Sequence, residues 1–354
     1  MGATTEPELA AKLRAMSPED RHGRPLRKLR ISVTDRCNLR CAYCMPEEEY
    51  RWLPREQLLS FEEIVRFARV VRGLGVDELR LTGGEPLLRK HLVDLVASLG
   101  EIGFDKLAMT TNGVLLVEHA QGLRDAGLTS LTVSLDTLKR DRFVELTRRD
   151  ELERTILGIE AARAAGFSVP KINTVVMRGR NDDEILDMLD FAARVGAELR
   201  FIEYMDVGGA TRWDAKTVVP QHELLAAIAA AKGPAQPLPH RGAAPAQRFV
   251  LPSGQVFGVI ASTTQPFCGT CDRARIVADG RFFTCLYARE GYDVRAWLRS
   301  GLSDEELAFR VASIWRGRDD RGAERRLAMH ERAPLASARE LAADPHLEMH
   351  TRGG

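Results

Sequence analysis

Several features that mark other classes of protein are scarce in this sequence. Among 354 residues there are only 29 Gly and 16 Pro, too few for a collagen-like or low-complexity disordered chain. The 51 Lys and Arg almost balance the 50 Asp and Glu, so the net charge of +1 gives no general attraction to nucleic acid or anionic lipid. Because the net charge is so small, any anion that the protein binds must be held by local groups. With 44% hydrophobic residues, the chain can bury a large core.

Long apolar runs are also lacking. Charged residues interrupt the first 25 positions, where a secretory signal would need an apolar stretch. Later in the chain, no run approaches the ~20 apolar residues of a membrane span. We therefore expect a cytoplasmic protein whose partner is neither a membrane nor a nucleic acid.

Cysteine is rare, and its distribution is the main functional signal. The six cysteines form two groups of three, separated by a long stretch without cysteine. Clustered thiols in a reducing compartment indicate metal ligands or catalytic groups rather than a disulfide framework. The groups are Cys37, Cys41 and Cys44, and Cys268, Cys271 and Cys285.

Short β-branched runs alternate with amphipathic helical patterns in the first part of the chain. This alternation predicts parallel strands covered by crossover helices. Six strands fall short of the eight in a closed barrel, so we expect an α/β fold with an incomplete TIM-type barrel of about six β/α units. The predicted strands are 29–34, 78–82, 106–110, 130–135, 171–177 and 198–203, and the predicted helices are 61–72, 89–99, 118–126, 152–165 and 182–195.

The pattern changes after residue 206. A Pro/Gly/Ala-rich stretch follows, and then two predicted hairpins, 247–251 with 255–260 and 275–278 with 281–286. Cys268 and Cys271 lie between the two predicted hairpins, and Cys285 lies on the second one. We therefore divide the chain into an N-terminal segment (1–28), the partial barrel (29–206), a connection (207–246) and a C-terminal cluster-binding extension with a glycine tail (247–354).

The first cysteine group is a CxxxCxxC run directly after the first predicted strand, where barrels carry their chemistry. Three thiolates within eight residues can wrap one face of a metal cluster. A structural zinc site would need a fourth ligand, and none is obvious nearby. A [4Fe-4S] cluster with three cysteines leaves one iron open. A buried thiol group, or zinc completed by a distant His, stays an alternative.

The CNLRCAYC run at 37–44 resembles the signature of the radical S-adenosylmethionine (SAM) superfamily, in which the open iron binds the methionine moiety of SAM. Gly83-Gly84-Glu85-Pro86, after the second strand, is similar to a superfamily motif that helps to bind the methionine amino group. The resemblance implies reductive cleavage of SAM to methionine and a 5'-deoxyadenosyl radical. It also implies SAM contacts for Tyr43, Gly84, Ser134 and Met205.

The second group, CGTC followed by Asp272-Arg273-Ala274-Arg275 and later by Cys285, resembles the GTP 3',8-cyclase family of molybdenum cofactor biosynthesis. The resemblance extends from LRKLRISVTDRC at 26–37 to the terminal glycines. It implies a second [4Fe-4S] cluster on Cys268, Cys271 and Cys285, whose open iron touches the guanine of GTP. It implies GTP contacts for Arg30, Arg80, Thr111, Lys171, Arg273, Ala274 (through its backbone) and Arg275.

The reaction implied by this resemblance abstracts the ribose C3' hydrogen of GTP and joins C3' to C8. The product is (8S)-3',8-cyclo-7,8-dihydroguanosine 5'-triphosphate, made in the first step of the pathway. Implied partners are an electron donor protein and a downstream cyclic pyranopterin monophosphate synthase, and a homodimer is left open. In the family a double glycine, here Gly353 and Gly354, reaches the active site. An apolar residue commonly precedes it, so Arg352 is a departure.

Two other interpretations stay open. A radical SAM enzyme that modifies peptides could also carry an auxiliary cluster, although such proteins usually have a longer C-terminal cysteine array. Alternatively, zinc could merely hold loops together in a binding module. Metal analysis separates the second of these from an iron-sulfur enzyme.

Overall fold

The first six strands form a parallel sheet in chain order. In the computed structural model, which describes residues 12–239 and 242–353, each strand from β1 to β6 pairs in parallel with the next. This is the strand order of a barrel. The strands are β1 (Lys28–Ser32), β2 (Glu78–Thr82), β3 (Lys106–Thr111), β4 (Ser130–Ser134), β5 (Lys171–Val176) and β6 (Glu198–Glu203).

Helices connect these strands. The five predicted helices are present, and α4 is an additional one. Its charged sequence, RDRFVELT, buries only Phe143, Leu146 and Thr147, too few for a clear helical pattern. The helices are α1 (Phe61–Gly73), α2 (Leu92–Gly100), α3 (Leu116–Asp125), α4 (Arg140–Thr147), α5 (Leu152–Ala164) and α6 (Ile185–Arg194).

Later strands extend the same sheet at both edges. Strand β9 pairs in parallel with β6, and β10 pairs in parallel with β1. Both predicted hairpins are present, as β8–β9 and β10–β11, and the 12-stranded sheet ends at β12 on one edge and β7 on the other. The expected incomplete α/β barrel is confirmed. The added strands are β7 (Gln236–Pro237), β8 (Gln247–Val250), β9 (Val256–Ile260), β10 (Arg273–Ile276), β11 (Arg281–Phe283) and β12 (Tyr292–Asp293).

Further helices complete the described chain. They are α7 (Gln221–Lys232), α8 (Val294–Arg299), α9 (Asp304–Gly317), α10 (Gly322–Leu327), α11 (Ala338–Ala343) and α12 (Met349–Arg352). Within residues 12–239 and 242–353, no helix has both the length and the apolar character needed to cross a membrane. The division at residues 206 and 246 stays our interpretation, since one sheet runs through both parts.

Alternation along the strands separates an apolar core from a polar interior. In β1, Leu29 and Ile31 are each 1% exposed and belong to the main hydrophobic core. Arg30 lies between them, and because successive side chains of a strand point to opposite faces, it points into the barrel. Burying one such leucine or isoleucine contributes about 1.5–3 kcal/mol. The core therefore fixes the strand faces, and with them the direction of the interior arginines.

Candidate active site

The first cysteine loop follows β1. Cys37, Cys41 and Cys44 are each partly buried. Burial raises the pKa of Cys37 to about 11, and burial together with the neighbouring Cys37 and Cys44 thiols raises that of Cys41. Deprotonation would then accompany metal binding, because a metal ion displaces the thiol proton. The donor set fits an iron-sulfur cluster.

The GGEP loop after β2 braces the cysteine loop. The Gly84 N–H donates to the Thr34 carbonyl (2.9 Å), and the Glu85 N–H donates to the Arg36 carbonyl (2.8 Å). The Glu85 carboxylate accepts the Thr111 hydroxyl hydrogen bond (2.7 Å), while burial raises the pKa of Glu85 to about 7. Gly84 therefore contacts the cysteine loop through its backbone.

One cavity of about 260 Å³ extends from Tyr43 of the first cysteine loop to the second cysteine group, whereas Cys37, Cys41 and Cys44 themselves are not among its lining residues. Three of the four residues predicted to contact SAM line it; Gly84 instead packs on the cysteine loop. All three cysteines of the second group also line the cavity. The lining includes Tyr43, Ser134, Met205, Cys268, Cys271, Cys285, Arg30, Arg273 and Arg275.

Asp136 fixes the orientation of Tyr43. The Tyr43 hydroxyl donates to Asp136 Oδ2 (2.7 Å), and Asp136 Oδ1 accepts from the Val175 N–H (2.8 Å). Burial raises the pKa of Asp136 to about 6. Sequence reasoning missed Asp136, although a buried tyrosine hydroxyl generally needs a hydrogen-bond partner.

Parallel register places the cavity arginines beside one another. Arg30 is paired with Arg275 of β10 on one side and with Arg80 of β2 on the other. Burial, followed by repulsion from Arg275, Arg273 and Arg80, lowers the pKa of Arg30 well below its usual value. Burial and the nearby Arg352 lower the pKa of Arg275 to about 9. Crowded, buried cations of this kind are best stabilised by an anion.

Several buried polar atoms of the cavity lining lack a partner within the described chain. They are Asn173 Oδ1, Ser262 Oγ and Arg273 Nε. Because buried polar atoms are nearly always satisfied, these atoms indicate a ligand or bound water. Sequence reasoning missed Asn173, although strand alternation from Lys171 indicates it. Ser262, beyond the end of β9, carries no comparable signal.

Four residues predicted to contact GTP lie outside the cavity lining. The Arg80 guanidinium donates to the hydroxyls of Thr110 (3.2 Å) and Thr132 (3.3 Å), and Thr110 itself lines the cavity. Lys171 Nζ lies 3.4 Å from the Ser130 hydroxyl. Ala274 is buried in β10, and the Thr111 hydroxyl donates a hydrogen bond to Glu85. Their roles stay predictions.

The second cysteine group lies in a more cationic setting. Cys268 and Cys271 precede β10, and Cys285 follows β11. Arg273 Nη2 donates to Cys271 Sγ (3.7 Å). Although burial acts against it, the guanidinium groups of Arg273 and Arg318 lower the pKa of Cys271 to about 7. This environment favours thiolate, which is the form that binds metal.

The cysteines do not converge on a single point. Within the described ranges, no three Cys, His, Asp or Glu side chains are arranged as ligands of one metal ion. Cysteine ligands of a [4Fe-4S] cluster bind different irons and so need not converge.

The C-terminal tail lies against the cavity arginines, and its Met349 lines the cavity. The Gly353 carbonyl accepts from Arg30 Nη1 (3.4 Å), and the Arg352 carbonyl accepts from Arg275 Nη1 (3.0 Å). Gly353 has a φ of 68°, and a Cβ there would lie 2.7 Å from the Ser32 hydroxyl. Only glycine fits this position without strain. Gly354 lies outside the described residues.

Comparisons with known proteins indicate the class to which this chain belongs. A model of the Radical SAM superfamily matches residues 31–192, and a model named Molybdenum Cofactor Synthesis C matches residues 197–324. SuiB of Streptococcus suis, in a crystal structure bound to S-adenosylmethionine, is similar in fold, with a TM-score of 0.60 and 16% identity, covering 90% of this chain and 70% of that one. The fold, together with the match to the Radical SAM superfamily model, indicates that this chain is a radical SAM protein.

Curated relatives define the family more closely. GTP 3',8-cyclase 1 of Mycobacterium tuberculosis is 49% identical over 359 residues, covering 100% of both chains. GTP 3',8-cyclase of Staphylococcus haemolyticus is 44% identical over 317 residues, covering 87% of this chain and 93% of that protein. The chain belongs to the GTP 3',8-cyclase family of the radical SAM superfamily.

Proposed function

We propose that this chain converts GTP into (8S)-3',8-cyclo-7,8-dihydroguanosine 5'-triphosphate, in the first step of molybdenum cofactor biosynthesis. The observation that carries the proposal is the shared cavity, in which the Tyr43 end of the first cysteine loop faces the arginines and the second cysteine group. Family membership supports the same activity.

Two clusters form part of this proposal. Cys37, Cys41 and Cys44 would hold one [4Fe-4S] cluster, and Cys268, Cys271 and Cys285 would hold another, which would bind the guanine of GTP. When bound, the first cluster and SAM supply the 5'-deoxyadenosyl radical that removes the C3' hydrogen of GTP. The thiolate-favouring surroundings of Cys271 support the second assignment.

The chain's own residues would bind and orient the nucleotide. Arg30, Arg273 and Arg275 would hold the triphosphate, because guanidinium groups suit phosphate oxygens and the three line one cavity. Arg80 and Lys171 would add positive charge beneath it, and Thr111 and the Ala274 backbone would contact the nucleotide. The fixed Tyr43 hydroxyl supports a SAM site with the phenol ring against the adenine, bounded by Ser134 and Met205.

The reaction also defines partner classes. SAM cleavage consumes one electron, and conversion of the cyclised nucleotide radical to product consumes another together with a proton. An electron donor protein is therefore part of the proposal. A cyclic pyranopterin monophosphate synthase would consume the product. We further propose that the protein works in the cytoplasm, while its assembly as a homodimer is left open.

Anaerobic reconstitution tests the activity. About eight irons and eight sulfides per chain would support two [4Fe-4S] clusters. Incubation with GTP, SAM and a reductant should then give 5'-deoxyadenosine and a cyclised nucleotide. If fully loaded protein forms no product from GTP, the proposed substrate is wrong and the peptide-modifying alternative gains support. Zinc in place of iron would instead support the binding module.

Cys268→Ala tests the second cluster. We expect this variant to keep the first cluster and to cleave SAM, but to lose GTP cyclisation. Gly269→Ala is a matched control in the same loop, because a Cβ there meets nothing within 4 Å. An unchanged cyclisation rate in Cys268→Ala would contradict the assignment.

A further inference from the structure

The residue before the terminal glycines is a fully buried arginine. Arg352 is 0% exposed, although it lies close to the end of the chain. Its Nε donates to the His346 carbonyl (2.5 Å) and its Nη1 to the Leu286 carbonyl (2.5 Å). The guanidinium carbon also lies 4.7 Å from the centre of the Phe283 ring. Because Leu286 follows Cys285, this side chain connects the tail to the second cysteine loop.

Stability alone does not account for a buried arginine here. Burial of a guanidinium is costly unless its hydrogen-bonding groups are satisfied, and Arg352 Nη2 has no partner in the part of the chain that the structure describes. An apolar side chain of similar volume would fill the space without that cost. Unlike apolar contacts, the two carbonyl bonds are directional, so they fix the orientation of the tail.

The position of the tail matters because its backbone reaches the cavity arginines. The Arg352 carbonyl accepts from Arg275, and the Gly353 carbonyl accepts from Arg30. Gly353 also fits tightly against Ser32. A shift of about 1 Å would break the 3.0 Å bond from Arg275 and the longer, 3.4 Å contact with Arg30.

We propose that Arg352 is a positioning residue, which fastens the C-terminal tail to the backbone of the Cys285 loop and thereby sets where Gly353 lies beside the cavity arginines. Its side chain acts through the tail and the loop. The consequence for catalysis rests on the proposed function, whereas the anchoring itself does not.

Hydrogen exchange of the iron-loaded protein tests the anchor directly. Amide exchange in residues 345–353 would be compared with exchange in the barrel strands for wild type, Arg352→Leu and Arg352→Lys. Arg339→Leu is the matched control, because Arg339 is exposed on α11 of the same tail. Iron content, SAM cleavage, and kcat and KM for GTP cyclisation would be measured on the same samples.

We expect Arg352→Leu to speed exchange in the tail by at least about tenfold, as expected for the loss of hydrogen bonds to a charged donor, with unchanged exchange in the barrel. Arg352→Lys keeps the charge and one donor group, so its exchange should be intermediate. Iron content and SAM cleavage should persist, while kcat for cyclisation falls more than KM rises. Arg339→Leu should match wild type in every measurement.

Equal tail exchange in Arg352→Leu and Arg339→Leu would overturn the proposal. If Arg352→Leu also speeds exchange in the barrel, the Arg352→Lys variant provides the test. Tail exchange equal to wild type in Arg352→Lys would then overturn the proposal, and faster exchange in the tail alone would support it. Failure of wild type to turn over GTP would count against the proposed function alone, since the exchange experiment does not involve GTP.

Discussion

Replacing Gly84 by alanine should separate the GGEP loop from the first cysteine loop. Gly84 contacts that loop through its backbone, and a Cβ there would lie 2.6 Å from the carbonyl carbon of Arg36 and 2.7 Å from the carbonyl oxygen of Asp35. Both neighbours are backbone atoms directly before Cys37, so no side chain can rotate away to make room.

The size of the effect follows from these distances. Ordinary contacts between carbon atoms are about 3.5–4.0 Å, so one loop must move by about 1 Å. Overpacking of this kind typically costs about 1–3 kcal/mol. Loss of the Gly84 N–H bond to Thr34, now 2.9 Å, adds about 1 kcal/mol. The total, about 2–4 kcal/mol, falls on the loop that carries Cys37 rather than on the core.

The assay is anaerobic reconstitution followed by iron analysis and SAM cleavage. We expect Gly84→Ala to lose iron from the first site and at least about tenfold in 5'-deoxyadenosine formation, since 1.4 kcal/mol corresponds to a factor of ten. Gly122→Ala is the control, because a Cβ there would lie 3.7 Å from the Val93 side chain, an ordinary contact between α3 and α2. Wild-type iron content and cleavage in Gly84→Ala would refute the reasoning.

Three further predictions concern charge. Burial and neighbouring cations lower the pKa of Lys171 to about 8. GTP affinity measured by calorimetry should therefore weaken as pH rises through about 8, because Lys171 loses its charge. The same dependence of affinity on pH in a Lys171→Arg variant would contradict this. Although burial acts against it, the hydrogen bond to Asp279 (2.7 Å), the charge of Asp279 and the hydrogen bond to Asp344 (2.8 Å) together raise the pKa of His346 above 6.5. The resulting stabilisation is complete below pH 6.5 and is lost as pH rises through the folded-state pKa, so the Tm difference between wild type and His346→Gln should shrink at alkaline pH; a constant difference would disprove it. Asp20→Asn removes the carboxylate that pairs with two buried arginines, Arg24 (2.7 Å) and Arg318 (3.0 Å), and should cost about 3–5 kcal/mol in urea unfolding; a loss below about 1 kcal/mol would show that these pairs are not important.

Local periodicity was sufficient to predict the barrel strands. Each strand from β1 to β6 lies within about two residues of its predicted bounds, because buried β-branched runs alternate regularly with helical patterns. The two hairpins were also visible, since Ser253-Gly254 and Asp279-Gly280 mark their turns. Strands and turns can be predicted in this way because each depends mainly on residues that are neighbours in the sequence.

Long-range pairing could not be predicted in the same way. No local signal indicates that β10 pairs with β1, although this contact brings Arg275 beside Arg30 and the second cysteine group to the cavity. The same is true of Asp136, whose role depends on the position of Tyr43, 93 residues earlier in the chain. The resemblance to a family indicated the arginines, whereas the structure supplied the reason that they lie together.

That reason is the parallel register, and it also explains why the tail matters. Three neighbouring strands each present an arginine at the same level, so a chain of net charge +1 concentrates cations in one place. Their mutual repulsion is unfavourable until oxygen atoms approach them. In this structure the carbonyl oxygens of residues 352 and 353 partly meet that need. A triphosphate would meet it more fully, because it carries charge as well as acceptors. The tail carbonyls and a triphosphate therefore bind the same guanidinium groups. A tail that is fixed by Arg352 holds those guanidinium groups in position before the nucleotide binds.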